Sequence, residues 1–327
     1  MLDQKHPNNR TTKSLLLQNN VSLADKNWFH TGGPARYFAE PTTAAEFQEA
    51  FLFARQNNQP IFVLGQGANI LISDNGFDGL VIRPNLKTIL HSPYDDHYEC
   101  VTVGAGVDLH AFIDYCLENN LSGLEEFSGI PSTIGGAVYI NIHYFEFLLD
   151  QFLLNAQVIE KDTGKLLDVT PEWFNFGYNR STLLEKNHFL VSATFKLKKI
   201  SALEAAYAQG RRTEIIRHRQ KRYPYKNTCG SFFRNFYQEE VKNEKSGKQL
   251  IFVAYYLDKL GIKGALSVGD AIVSHQHANM IVNRESATSN DIVLLARTMQ
   301  EMVQKEFGIL PQPECQFIGF KEYPLYR

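Results

Sequence analysis

The chain has 327 residues, 44% of them hydrophobic and 21% charged, which is ordinary for a folded globular protein with two or three lobes. Its formal net charge of −2 argues against a protein that attracts nucleic acid or an anionic membrane through its overall field. The four cysteines form no CxxC pair and no apolar run has membrane-spanning length, so we expect neither a metal site nor a membrane segment. The polar first residues lack the apolar core of a secretion signal, which predicts a cytoplasmic protein.

The first strong pattern is a helix followed by two short strands around a glycine turn. Thr42 or Thr43 is predicted to cap the helix. The apolar runs at residues 61–64 and 70–72 predict buried strands. Between them, Gly65 and Gly67 let the backbone turn tightly and approach a ligand, because no Cβ stands in the way. Such a turn can present backbone N–H groups to a phosphate, although on its own it is more simply explained as a tight hairpin.

A second glycine-rich stretch, SGIPSTIGGAV, occupies residues 128–138. It has neither helical nor alternating periodicity and carries no charge, so we expect a loop that is buried against another part of the protein. The helix predicted before it, at residues 109–117, has Cys116 on its apolar spacing, which indicates a core residue rather than a nucleophile.

The last third of the chain is predicted to be largely helical. Ser201 and Glu204 have capping-box spacing, which predicts a helix that starts there. Its second half carries six basic residues: Arg211, Arg212, Arg217, Arg219, Lys221 and Arg222. We expect them to form a solvated face rather than a docking site. A final long helix is predicted with Ser289 as its cap and Gly308 at its end.

Five segments, taken together and in this order, resemble the motifs of the bacterial UDP-N-acetylenolpyruvoylglucosamine reductases (MurB). They are NWFHTGGPARYFAEP (27–41), GQGANILISDNGFDGLVI (65–82), SGIPSTIGGAV (128–138), CGSFFRN (229–235) and PECQFIG (313–319). Each motif is moderately specific by itself. The resemblance runs from about Ser22 to Phe320 and therefore covers most of the chain.

This resemblance implies an α+β fold with a two-lobed FAD-binding domain of the vanillyl-alcohol-oxidase (PCMH) type, followed by an α+β substrate-binding domain. We expect a flexible arm at residues 1–21, the FAD-binding domain at 22–200 with its lobes split near 84, and the substrate-binding domain at 201–327. No extra tyrosine-bearing loop is evident before the serine motif, and in this the chain resembles the shorter, type II subtype of the family.

The activity implied is the reduction of UDP-N-acetylglucosamine enolpyruvate to UDP-N-acetylmuramate for peptidoglycan, with FAD as cofactor, NADPH as reductant and a monomeric enzyme. Two alternatives stay open. One is a flavin-dependent oxidase or dehydrogenase of the same fold that acts on another substrate, and the other is a catalytically impaired relative.

The resemblance also implies the residues of the site. Ser231, within a match to the pattern G-S-x-F-x-N, is the expected proton donor, and Glu314 is expected to stabilise the enol or relay a proton. The expected flavin contacts are Gly65, Gln66, Gly67, Ala68, Asn69, Ser128, Gly129, Ile130, Pro131, Gly135, Gly136 and Ala137. The expected UDP-sugar contacts are Asn235, His277 and Lys226, although a packed histidine and a solvated lysine would explain the last two nearly as well.

Two departures from the family pattern bear on the site. The family usually has Tyr-Arg-x-Ser where this chain has Tyr-Asn-Arg-Ser at residues 178–181. We assign the cation that faces the enolate to Arg180, because Asn179 offers no positive charge; in strict register Asn179 would stand there and the cation would be lost. The second departure is a polar insertion at residues 236–248, which is expected to lie on the surface.

Overall fold

The computed structural model describes residues 15–241, 244–245 and 248–327, and it shows the α+β fold that the sequence predicts. The strands are β1 (Leu17–Ser22), β2 (Pro34–Ala39), β3 (Ile61–Val63), β4 (Ile70–Ile72), β5 (Phe77–Ile82), β6 (Ile89–Pro93), β7 (Tyr98–Gly104), β8 (Leu121–Ser122), β9 (His143–Tyr144), β10 (Phe147–Leu148), β11 (Leu153–Glu160), β12 (Leu166–Val169), β13 (His188–Lys199), β14 (Glu244–Lys245), β15 (Lys248–Gln249), β16 (Ser267–Val268), β17 (Ala271–Val273), β18 (Ile281–Asn283) and β19 (Gln316–Ile318). The α-helices are α1 (Ala44–Gln56), α2 (Leu109–Glu118), α3 (Ile134–Tyr139), α4 (Ala202–Arg222), α5 (Val253–Lys259) and α6 (Ser289–Phe307). Short 3-10 helices occupy Ala24–Lys26, Glu125–Phe127, Leu149–Phe152, Pro171–Phe174, Thr182–Glu185 and Gln238–Glu240.

The first lobe is a four-stranded sheet in the order β1-β2-β5-β3. Helix α1 begins where predicted, because the Thr43 side chain accepts the N–H of Glu46 at 3.1 Å. Strand β1 pairs antiparallel with β2, so the prediction of a flexible arm is wrong for residues 17–21. Residues 1–14 of that arm lie outside the described residues.

The second lobe is a six-stranded sheet in the order β12-β11-β13-β7-β6, with β8 added beside β13. Helices α2 and α3 bury their apolar residues against its core, and Cys116 is 2% exposed, as the periodicity predicts. The prediction of a loop at residues 128–138 is wrong in its second half, where α3 forms. The Thr133 side chain caps α3 by accepting the N–H of Gly136 at 3.1 Å.

The C-terminal part consists of α4 to α6 and a small sheet of β16 to β18. Helix α4 begins with the predicted reciprocal capping box of Ser201 and Glu204. Helix α6 ends at Gly308, whose φ of +71° is the left-handed conformation that glycine favours, but its cap is Thr288, one residue before the predicted Ser289. Among the described helices, none has the length and apolar character that a membrane crossing requires.

The prediction that residues 236–248 lie on the surface is wrong for Phe236 and Val241, whereas residues 237–239 are exposed as expected. Phe236 and Val241 are both 3% exposed and join the C-terminal core, while Arg234 forms an ion pair of 2.7 Å with Glu240. Residues 242–243 and 246–247 of this segment lie outside the described residues.

Strand β19, near the end of the chain, pairs in parallel with β4, and the two form a separate two-stranded sheet with Gln316 opposite Ile70. Two further bonds join the same parts: the Ser289 N–H donates to the Asp74 carboxylate at 2.9 Å, and the Asn283 amide donates to the Phe29 carbonyl at 2.8 Å. The residues just before β19 are therefore held beside the glycine turn that precedes β4.

Candidate active site

A cavity of about 2210 Å³ opens between the first two lobes and the C-terminal part. A pocket for one small ligand is usually about 300–1,000 Å³, so this cavity has room for a dinucleotide and a second ligand together. Both glycine-rich segments line it, and so do residues of α4, of the 228–235 segment and of the segment before β19.

The first glycine turn is packed against the N-terminal motif of the chain. Gly67 has φ +68°, and a Cβ on it would lie 2.7 Å from both Asn27 Cα and the Lys26 carbonyl oxygen. The Trp28 N–H donates to the Gly67 carbonyl at 3.0 Å, while the Asn27 amide donates to the Leu23 carbonyl at 2.7 Å. These contacts fix the backbone of the turn and leave its other side open to the cavity.

The two glycine-rich segments face each other closely. A Cβ on Gly65 would lie 2.9 Å from the Thr133 hydroxyl, so the absence of a side chain there keeps the segments in contact. The Gln66 amide donates to the Ser132 carbonyl at 3.0 Å and also to the Asp108 carboxylate that caps α2. The result is a narrow cradle lined largely by backbone.

Most of the predicted flavin contacts line this cradle. Those that do are Gly65, Gln66, Gly67, Ala68, Asn69, Gly129, Ile130, Pro131, Gly135 and Gly136. Ser128 and Ala137 do not line it, since both are fully buried. A cradle of close backbone with few side chains suits a flavin diphosphate, and it would fill if Cβ atoms were present.

Ser231 and Glu314 line the same cavity, and the backbone of Phe232 joins their segments. The Glu314 N–H donates to the Phe232 carbonyl at 2.9 Å, and the Phe232 N–H donates to the Asn279 carbonyl at 2.8 Å. Gly230 has φ +78°, a left-handed conformation that favours glycine just before the serine. The Gln316 N–H donates to the Asn69 carbonyl at 3.1 Å, which ties the glutamate segment to the first glycine turn.

Burial raises the pKa of Glu314 to about 7. At neutral pH this carboxyl group is therefore divided between its protonated and ionised forms, which suits a group that handles a proton. Tyr178 lies nearby: burial first, then Glu314, raise the pKa of its hydroxyl, which is hydrogen-bonded to the Asn235 side chain.

The structure disagrees with the assignment of Arg180 as the cation of the site. Residues 177–180 form a tight turn in which the Gly177 N–H donates to the Arg180 carbonyl at 3.1 Å and Asn179 has φ +51°. Tyr178 and Asn179 line the cavity, whereas Arg180 is exposed and does not. Asparagine tolerates the left-handed conformation well, so the turn directs the residue after it away from the cavity.

The predicted UDP-sugar contacts are all at the cavity, in different settings. Asn235 is half-buried beside Tyr178. His277 is half-buried 5.3 Å from the ring of Tyr223, and burial lowers its pKa, which favours the neutral imidazole. Lys226 is exposed at the rim.

Sequence reasoning missed the two arginines that α4 contributes to the cavity wall. Arg212 and Arg219 of α4 line the cavity, although the six basic residues of that helix were expected to form a solvated face. The expectation holds for Arg211 and Arg217, which are exposed. Helical spacing would have shown that positions 212 and 219 share a face, because they are two turns apart. Among the described residues, no cluster of His, Cys, Asp or Glu is arranged to hold a metal.

Two family models match the chain: one for an FAD binding domain at residues 35–170, and one for the C-terminal domain of UDP-N-acetylenolpyruvoylglucosamine reductase at residues 221–318. The UDP-N-acetylenolpyruvoylglucosamine reductase of Trichormus variabilis is 33% identical over 292 residues, which are 89% of this chain and 83% of the relative. That of Protochlamydia amoebophila is 32% identical over 304 residues, which are 93% and 94% of the two chains. The crystal structure of the corresponding reductase from Thermus caldophilus matches with a TM-score of 0.73 and 29% identity, over 93% of this chain and 99% of that one.

Proposed function

The chain belongs to the UDP-N-acetylenolpyruvoylglucosamine reductases, and we propose that it reduces UDP-N-acetylglucosamine enolpyruvate to UDP-N-acetylmuramate for peptidoglycan synthesis, with FAD as cofactor and NADPH as reductant. One observation carries the proposal. Ser231 and Glu314, which come from separate motifs, line one cavity together with both glycine-rich segments. An oxidase of the same fold would have no need of a proton donor to carbon at that place.

In the proposed mechanism the flavin, when bound, supplies the hydride chemistry, and the glycine-rich cradle holds it. Ser231 donates a proton to the α-carbon of the developing enolate, which is the carbon that carries the carboxylate. A serine hydroxyl is a poor acid, so it needs a neighbour that lowers the cost of releasing the proton. Glu314, with its raised pKa, is the neighbour that the cavity offers, and its protonated form also stabilises the enol.

We also propose which residues bind the sugar nucleotide, which domains bind each ligand and where the enzyme acts. Asn235, neutral His277 and Lys226 contact the sugar nucleotide, with Lys226 as a point charge for its diphosphate. We assign FAD binding to residues 22–200 and substrate binding to residues 201–327. The enzyme acts as a cytoplasmic monomer without a nucleic-acid or membrane partner, in keeping with its net charge of −2.

Substrate-dependent consumption of NADPH by the flavin-loaded protein tests the proposed function. We expect sustained consumption of NADPH, beyond the amount that reduces the bound flavin, only when the enolpyruvyl sugar nucleotide is present, with one lactyl ether formed for each further NADPH consumed. The exposed position of Arg180 favours a second candidate, an impaired relative that binds both ligands without turnover. That candidate predicts a change in the flavin spectrum on adding the substrate, but no product.

The raised pKa of Glu314 predicts how the rate of substrate reduction depends on pH. Because the pKa is about 7, the carboxyl group is protonated below this pH and loses its proton above it. The step in which pre-reduced enzyme consumes the enolpyruvyl substrate should be level at acid pH and fall by about tenfold per pH unit above 7. Stopped-flow measurements over about two units on either side of 7 would show this, and Glu314→Gln should remove the slope. A rate that rises through pH 7 would assign the working form to the carboxylate instead.

Among alanine substitutions in the turn at residues 177–180, Asn179→Ala should lower kcat/KM more than Arg180→Ala. Asn179→Ala should lower kcat/KM by about tenfold, because it removes an amide from the cavity and a residue suited to positive φ. Arg180→Ala should stay within about twofold, as is usual for an exposed side chain. Asn175→Ala is the matched control, because Asn175 also has positive φ (+45°) but does not line the cavity. The reverse ranking of Asn179 and Arg180 would show that Arg180 faces the substrate after all.

A further inference from the structure

Helix α4 presents one face to the cavity. The cavity is lined by Arg212, Ile216, Arg219 and Gln220, which are spaced as one side of a helix. The other basic residues of this helix have different surroundings: Arg211 forms an exposed ion pair with Glu126, and Arg217 forms one with Glu214. The two arginines on the cavity face are therefore set apart from the solvated ones.

Arg212 is 8% exposed, and only some of its hydrogen-bond donors have an acceptor. Its guanidinium donates to the Asp114 carboxylate at 2.8 Å and to the His110 carbonyl at 3.4 Å. Its Nε atom is buried and has no hydrogen-bond partner among the described residues. A buried donor without an acceptor is costly, so a site that keeps one is expected to receive an acceptor from a ligand.

Arg219 has no carboxylate partner among the described residues. Its side chain packs against Gly129, where a Cβ would lie 2.7 Å from Arg219 Cδ and 3.1 Å from Nε. The guanidinium lies 5.5 Å from the centroid of the Tyr144 ring and 5.4 Å from that of Tyr223. Burial lowers its pKa, and its Nε is also buried without a partner. Aromatic rings hold a guanidinium in place but leave its charge unmatched.

Two neighbouring residues also have a buried polar side-chain atom without a hydrogen-bond partner. His110 Nδ1 and Ser128 Oγ are likewise buried without a hydrogen-bond partner among the described residues. His110 is near enough to Asp108, Asp114 and both arginines to feel their charges. Ser128 precedes Gly129 in the chain. Of the six unpartnered buried side-chain atoms in the part of the chain that the structure describes, four thus belong to α4 or to the segments next to it, while the others are on Thr31 and Gln59.

We propose that Arg212, Arg219 and His110 form an anion recess that binds a phosphate group of a nucleotide in this cavity. A guanidinium matches phosphate oxygens through paired N–H donors, which a lysine could not do as well. The recess adjoins Gly129 of the second glycine-rich segment, so the flavin diphosphate is one source of the phosphate. NADPH and the sugar nucleotide are the other sources that the proposed function supplies, and the proposal rests on that function only in expecting a nucleotide.

The test measures ligand binding without turnover in Arg219→Gln, Arg219→Lys and the control Arg217→Gln. Deflavinated protein would be titrated with FAD and with riboflavin, which lacks phosphate, by quenching of flavin fluorescence. Flavin-loaded protein would be titrated with UDP and with NADP⁺ by changes in flavin absorbance. We expect Arg219→Gln to weaken at least one phosphate-bearing ligand by about tenfold or more, Arg219→Lys to restore part of the loss, and Arg217→Gln to change nothing.

The pattern of losses identifies the source of the phosphate. A loss for FAD but not riboflavin assigns the recess to the cofactor, whereas an unchanged FAD affinity with weaker UDP or NADP⁺ binding assigns it to that nucleotide. Equal losses for FAD and riboflavin, or no loss for any ligand, would overturn the proposal. If Arg219→Gln does not fold, Arg212→Gln and Arg219→Lys give the same comparison. None of these readouts depends on turnover, so they stay informative even if the proposed activity is absent.

Discussion

Replacing Ser231 by alanine is expected to leave flavin reduction by NADPH within about twofold of the wild-type rate, and to slow the reaction of pre-reduced enzyme with the enolpyruvyl substrate by about 10²- to 10⁴-fold. The reason is that only the second half-reaction needs a proton delivered to carbon. Ser231 is half-buried and lines the cavity rather than the core, so its loss should not disturb packing. Stopped-flow absorbance of the flavin measures the two half-reactions separately.

Ser267→Ala is the matched control for Ser231→Ala, because Ser267 is an exposed serine of the same C-terminal part on β16. It should leave both half-reactions unchanged. Equal slowing of both halves in Ser231→Ala would indicate a structural defect or a role in binding, and the proton-donor role would have to be abandoned. An unchanged rate of the second half-reaction would show that the proton comes from Glu314 or from water.

Features set by neighbours in the chain could be predicted from the sequence. The capping box of Ser201 and Glu204 and the left-handed Gly308 at the end of α6 both depend on a few consecutive residues. The short strands around Gly65 and Gly67 are also local, because apolar runs bounded by glycine leave few alternatives. Helix α3 was not predicted, since it has six residues and two glycines. It depends on the Thr133 cap and on burial rather than on propensity.

The residues of the site could be predicted only through the family resemblance, because pairing between distant parts of the chain brings them together. Glu314 is near the first glycine turn only because β19 pairs in parallel with β4, and no local pattern announces that pairing. The two arginines that α4 contributes to the cavity wall differ from their solvated neighbours through what α4 packs against, which composition cannot show. The placement of Asn179 rather than Arg180 at the cavity follows from one left-handed residue in a four-residue turn.

Substituting Gly67 by alanine should give a protein that loses FAD on purification and binds it at least about tenfold more weakly when it is added back. The first cause is the φ of +68°, which alanine adopts at a cost of about 1–2 kcal/mol. The second is steric: the new Cβ would lie 2.7 Å from Asn27 Cα and from the Lys26 carbonyl oxygen, which are backbone atoms and cannot swing away. The turn must therefore shift, and with it the backbone that faces the cavity.

Gly164→Ala separates these two causes. Gly164 has the same φ of +68°, but among the described residues no heavy atom beyond its own and those of its two chain neighbours lies within 4 Å of the position its Cβ would take. It should therefore lose stability through the backbone cost alone and keep a full complement of flavin. The ratio of flavin to protein absorbance and the Tm of both variants measure the comparison. If Gly67→Ala retained flavin as well as Gly164→Ala does, the contact between the first glycine turn and residues 26–27 would not be what shapes the cofactor site.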